Sequence, residues 1–353
     1  MRITDRPTIL RTALFLACAA FCLTGFGNWN PWATAPIALT IGIMLALAGL
    51  TAFEQESKQL SRVLIQASVV LLGFSISLND VARAGLPGMV FAAATIALVF
   101  VVGALMQRLL ATDKQVSALL TAGTAICGGS AIAATGTVIG ASSASISVAT
   151  AVVFLLNAGG VYLYPVIGHA LEMSQSQFGA WAAVGIHDVA GVVAAAKQYG
   201  DPALAEATVI KLTRVLWIVP VALVLGRGVK NNGTVFGGTA LQSGVKNSAT
   251  PDTGLETSAT KTVPIPWFVG LFLVACLVRT LGEWWLGVPS IAPAADVLKA
   301  IAKTMMTLAL FLIGTGLSRR ALAEAGWRPL LQGMVMWVVV SVVALVVVRQ
   351  MVE

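Results

Sequence analysis

Two apolar stretches of this chain and one face of a third carry residues that could do chemistry. In the run from Ala180 to Ala195, His187 and Asp188 form the only ionisable pair in the middle of an apolar block. If that block lies in a bilayer, the aspartate costs roughly 2.5 to 3.5 kcal/mol on insertion scales. A solute-binding or proton-handling role follows, since modest surroundings move a histidine's charge across the physiological range. The same residues also have a structural reading: an interhelical hydrogen bond by His187 and capping of a half-helix from Val189 by Asp188.

The second run, Thr121 to Gly136, contains Cys127, Gly128, Gly129 and Ser130. Adjacent glycines weaken a helix at mid-span and free backbone groups, which is tolerated only against a cavity or inside protein. The N–H groups of the second half-helix would then offer a site for a negative group, with Cys127, Ser130 and Thr135 adding donors. Close packing of helices through small residues is the other reading. Lys211 and Arg214 stand at i and i+3 on one helical face, suited either to an anion or to snorkelling toward headgroups. Lys303, beside Thr304 and Thr307, has the same two readings.

These residues need elements to position them, and composition says which kind. Of 353 residues, 58% are hydrophobic and 10% charged, against about 25% charged in soluble domains. The apolar residues gather in blocks near the length that crosses a hydrocarbon core of about 30 Å. About eleven crossings are read: 12–26, 35–53, 63–78, 88–106, 116–140, 146–168, 178–197, 204–226, 264–282, 296–317 and 329–350, with 116–140 and 178–197 open to either a full crossing or a re-entrant hairpin. With the N-terminus inside, 14 of the 22 basic residues fall on the cytoplasmic side, as topology requires. The polar stretch 228–262 reads as a flexible cytoplasmic linker between membrane regions 1–227 and 263–353.

An internal echo supports a repeat. Leu72-Gly73-Phe74-Ser75-Ile76-Ser77 returns as Ile313-Gly314-Thr315-Gly316-Leu317-Ser318. In the eleven-span topology the two copies run in opposite directions, an inverted repeat of the kind found in secondary transporters. The four cysteines, all in apolar blocks, suggest no disulfide framework. The scattered basic residues argue against nucleic acid. No P-loop is present, so energy for any transport must come from a gradient, and no His/Cys cluster has metal or haem spacing. No cofactor is expected.

Four segments together resemble the YeiH-type sulfate exporter family: Ile126–Ala134, Gly185–Ala195, Lys211–Leu216 and Lys303–Gly314. The resemblance covers essentially the whole chain outside 228–262. It implies an all-α, multi-pass bacterial inner-membrane protein with discontinuous helices, distantly similar to the cation/proton antiporter and bile-acid transporter group. It also implies a small anionic solute, sulfate or a related sulfur oxyanion. Carried over, Cys127, Gly128, Gly129, Ser130, His187, Asp188, Lys211, Arg214 and Lys303 match the family's polar motifs. Gly191 departs from it, standing where relatives often have Gln.

The expectation is a secondary transporter working by alternating access, partnered by the anion and the bilayer, with homo-oligomers left open. The alternative is a cation- or proton-coupled antiporter with Asp188 as ion ligand. An intramembrane enzyme with Cys127 as nucleophile is a third, weaker reading, and the chain is not expected to be an enzyme.

Overall fold

The computed structural model describes residues 6–26, 30, 32–232, 267–286, 288–316 and 326–351. Among these residues regular structure is entirely helical, in fourteen helices. They are α1 (Arg6–Leu23), α2 (Ala35–Leu47), α3 (Glu54–Gly73), α4 (Leu78–Leu110), α5 (Lys114–Ala125), α6 (Gly129–Ile139) and α7 (Ser143–Ala170). The chain continues through α8 (Gln175–Gly185), α9 (Val189–Tyr199), α10 (Asp201–Leu216), α11 (Ile218–Asn232), α12 (Trp267–Leu286), α13 (Val288–Thr315) and α14 (Trp327–Met351).

Six helical stretches are long and apolar enough to cross a membrane: Pro87–Leu110, Ser143–Ala170, Asp201–Leu225, Trp267–Trp285, Pro293–Thr315 and Trp327–Gln350. On α14, Met336, Val340, Ala344 and Val348 are buried while Met334, Val338, Val342 and Val346 are exposed. Apolar residues on both faces mark a helix solvated partly by lipid. Exposed Trp267 and Trp284 bracket α12 about 26 Å apart by helical rise, the spacing of two membrane interfaces.

The breaks near Gly128 and His187 are present, and each turns its segment back on itself. Were 114–142 one kinked crossing, its ends would lie about 40 Å apart. Instead Gln115 Oε1 accepts from the Ser142 backbone N–H at 3.1 Å and from the Ser145 hydroxyl at 3.2 Å. Midway along, Gly123 packs on Ile132 and Gly136 faces Leu119. Thus α5 and α6 are antiparallel arms of a hairpin. The second segment does the same: Tyr199 donates to the Met173 carbonyl at 2.7 Å and stacks on Phe178 with ring centroids 3.9 Å apart.

Helix α7 shows how the hairpins face each other. Its Ile146 meets Gly136 near the base of the first hairpin, and Val153 and Phe154 meet the tip at Gly128 and Gly129. Farther on, Asn157 and Gly160 meet the tip of the second hairpin at Gly191 and Ile186, and Gly168 meets Phe178 near its base. The hairpins therefore enter from opposite ends of α7, a helix about 42 Å long, and their tips touch halfway along it. Of the two forms open to 116–140 and 178–197, these contacts make the hairpin, with arms of 11 or 12 residues that reach only about 17 Å.

The helices form two bundles. The hairpins pack with α4, α7, α10, α11 and α14, whereas α1, α2, α3, α12 and α13 pack together. Within the second bundle α2 and α13 cross at Gly42 and Gly314, where a Cβ on Gly314 would stand 2.6 Å from the Leu39 carbonyl oxygen. Each bundle thus mixes helices from before and after the polar stretch. Helix α11 continues through Asn232, so the first residues of the expected linker 228–262 are helical. The remainder, like most of the second repeat copy beyond Gly316, lies outside the described residues.

Candidate functional site at the hairpin tips

At the first tip the chain leaves α5 at Ala125, turns through Ile126, Cys127 and Gly128, and begins α6. Gly128 has φ +67° and ψ −124°, a conformation that side-chain-bearing residues rarely adopt. At the second tip Ile186, His187 and Asp188 form an extended link between α8 and α9. Asp188 is the N-cap of α9, its Oδ1 accepting from the Gly191 N–H. Its own N–H donates to Asn157 Oδ1 of α7 at 3.1 Å. The Cβ position of Gly128 lies 3.6 Å from the His187 backbone carbon, so the two turns are in contact.

Ending two helices inside protein leaves carbonyl groups without helical partners and two negative dipole ends in an apolar setting. Lys211 and Arg214, 1% and 0% exposed, answer them. Lys211 Nζ donates to the carbonyls of Ile186 at 2.7 Å and Ala183 at 3.3 Å. Arg214 donates to Val184 at 2.6 Å, to Ala183 at 3.4 Å and, across the tips, to Ala125 of the other hairpin. Trp337 Nε1 donates to Gly185 at 2.8 Å. Four consecutive carbonyls at the end of α8 are therefore satisfied by side chains.

The N-terminal ends of α6 and α9 are treated differently. Their first-turn N–H groups point at the junction by helix geometry, and their dipoles put partial positive charge there. Cys127 Sγ and Ser130 Oγ are 2.8 Å apart beside the α6 end, with Ser130 exposed and Cys127 buried. His187 is 2% exposed, and neither ring nitrogen has a hydrogen-bond partner among the described residues. Asp188 Oδ2 is likewise buried without a partner. Such groups are costly unless something binds them.

Of the nine residues singled out by sequence, eight gather at the tips: Cys127, Gly128, Gly129, Ser130, His187, Asp188, Lys211 and Arg214. Lys303 does not. It lies on α13 in the other bundle, in a cavity of about 480 Å³ shared with Lys197, Gln198, Lys299 and Thr307. Lys211 Nζ and the two terminal nitrogens of Arg214 donate to backbone carbonyls, a third outcome beside anion binding and snorkelling, while Arg214 Nε is buried without a partner among the described residues. Asn157 and Trp337 escaped the sequence reading. Asn157 had a signal, as an amide in the apolar run Ala149–Gly160, while nothing local marked Trp337. A Cβ on Gly191 would lie 2.8 Å from Asn157 Oδ1, so the glycine at this departure from the resembling family leaves room for Asn157.

Two opposed helical hairpins inside a bundle of long apolar helices define a polytopic α-helical membrane protein. The chain matches the family model described as "Conserved hypothetical protein 698" over residues 9–333, and it belongs to that family. It is 37% identical to a UPF0324 membrane protein of Bacteroides thetaiotaomicron over 94% of this chain and 91% of the relative. It is 36% identical to one of Geobacter sulfurreducens over 96% and 97%, and 35% identical to one of Bdellovibrio bacteriovorus over 92% of each chain. No solved structure matches.

Proposed function

We propose that the protein is a secondary transporter that carries a small anion, sulfate or a related sulfur oxyanion, through a site at the meeting hairpin tips. The observation that carries this reading is the asymmetry of compensation. Carbonyl ends are neutralised by Lys211, Arg214 and Trp337, and Asp188 caps α9, whereas the N–H end of α6, with no side-chain cap, faces the junction beside Ser130 and His187. An uncapped positive helix end favours an anion. The solute site lies near the midplane where the two tips meet within the hairpin bundle, the depth at which alternating access places a site. The one bundle moves against the other, and binding involves no covalent chemistry.

The membrane is the bacterial inner membrane and the N-terminus cytoplasmic. Counting α1, α2, α3, α4, α7, α10–α11, α12, α13 and α14 gives nine crossings in place of eleven. Removing two crossings reverses only α7, so the bias of basic residues toward the cytoplasm is kept. The inverted repeat relates α3 to the end of α13 as before. Asp188 Oδ2, buried and without a partner, favours coupling to a proton or another cation at this carboxylate. The two readings meet if the cation travels with or against the anion.

The test is uptake of radiolabelled sulfate and sulfite into proteoliposomes, with and without an imposed pH gradient, for wild type and Asp188→Asn. Asparagine caps a helix about as well as aspartate, so the variant keeps α9 and removes only the charge. Saturable, anion-competed flux that is lost in the variant is the expected result. Absence of flux of either anion under every gradient would remove the sulfur oxyanion assignment.

A further inference from the structure

The cavity of about 480 Å³ lies between the bundles, with α9 of the second hairpin on one side and α2 and α13 on the other. Three lysines line it: Lys197 from α9, and Lys299 and Lys303 from α13. Lys299, Lys303 and Thr307 follow at i, i+4 spacing, so one face of α13 carries both cations and a hydroxyl into the cavity. Asp296 also lines it.

Asp201, the first residue of α10, engages two of these lysines at once. Its Oδ1 accepts from Lys197, and its Oδ2 accepts from Lys299 at 2.8 Å. The side chains are 34%, 54% and 25% exposed for Lys197, Asp201 and Lys299, so water reaches the cluster. Lys197 and Asp201 belong to the hairpin bundle, and Lys299 to the other. The carboxylate thus ties the two bundles together, and its two oxygens sit where those of a small dianion would.

We propose that this cluster is an anion-operated latch: a small divalent oxyanion replaces the Asp201 carboxylate between Lys197 and Lys299, exchanging the built-in Asp201–Lys299 tie between α10 and α13 for one that lasts only while the anion is bound. The inference rests on the anion-transport reading above and adds to it a second site, at the end of α9 away from the tip. Lys303, farther along α13, takes the anion inward from the two outer lysines. Exposed ion pairs of this kind are individually weak, which lets a solute compete with them.

The experiment uses the full chain in zwitterionic phosphatidylcholine nanodiscs, so that no anionic headgroup competes. Thermal stabilisation by sulfate is titrated for wild type, Asp201→Asn and Lys299→Gln. Removing the internal competitor lowers the half-saturating sulfate concentration about fivefold in Asp201→Asn, and Lys299→Gln raises it by about the same factor. Phosphatidylglycerol added to the discs raises the wild-type midpoint if headgroups share the site. An Asp201→Asn midpoint equal to or above that of wild type overturns the latch, as does a midpoint unmoved in Lys299→Gln. Flux is measured on the same variants: sulfate binding that shifts as stated without flux in any variant leaves the latch site standing and removes the transport reading.

Discussion

Arg214 carries the most consequential contacts of any single residue, because its guanidinium reaches carbonyls on both hairpins. A buried cation is expensive alone, and here its compensation is the negative end of two helices rather than a carboxylate. Arg214→Met keeps much of the volume but leaves the Ala125 and Val184 carbonyls without partners, at about 1 to 3 kcal/mol each. The variant is expected to unfold at clearly lower temperature in detergent even without any anion. Unchanged stability with weakened anion binding would return Arg214 to the solute site. At Asp188 the opposite separation is expected, with stability kept and flux lost in Asp188→Asn, because the cap survives the loss of charge.

The hairpins are the elements on which the site depends, and Gly128 is where the first of them turns. Gly128→Ala places a side chain at φ +67° and brings a Cβ to 3.3 Å from Val153. A loss of about 1 to 3 kcal/mol is expected from the backbone alone. Thermal unfolding of the variant checks it, and wild-type stability would mean that the turn relaxes. The breaks themselves were legible, since Gly128-Gly129 and the His187-Asp188 pair interrupt apolar runs. The reversal was not, because a kinked crossing and a hairpin need the same local break. What distinguishes them is contact between distant polar ends, Gln115 with Ser142 and Tyr199 with Met173, to which no local pattern points. Arm length held a clue: about 17 Å on either side of each break suits half a membrane.

At the scale of the molecule, two bundles meet along α2–α7, α4–α12 and α9–α13. Tyr162 of α7 reaches the Pro36 carbonyl of α2, and the Leu78 N–H donates to Thr280 of α12 at 2.8 Å. Composition made the membrane class legible, and charge bias is as well served by nine crossings as by eleven. The grouping into bundles was hidden, because α12 and α13 join helices from the other end of the chain while α14 joins the hairpins. That both hairpins turn back at mid-membrane is tested most directly by sided labelling of single cysteines in a background with Cys18, Cys22, Cys127 and Cys276 replaced by Ser. Lys114→Cys and Ser143→Cys are predicted to react with an impermeant maleimide from one face, and Ser176→Cys and Pro202→Cys from the other. Reaction of positions 114 and 143 from opposite faces would make the first segment a crossing and dissolve the site at the tips.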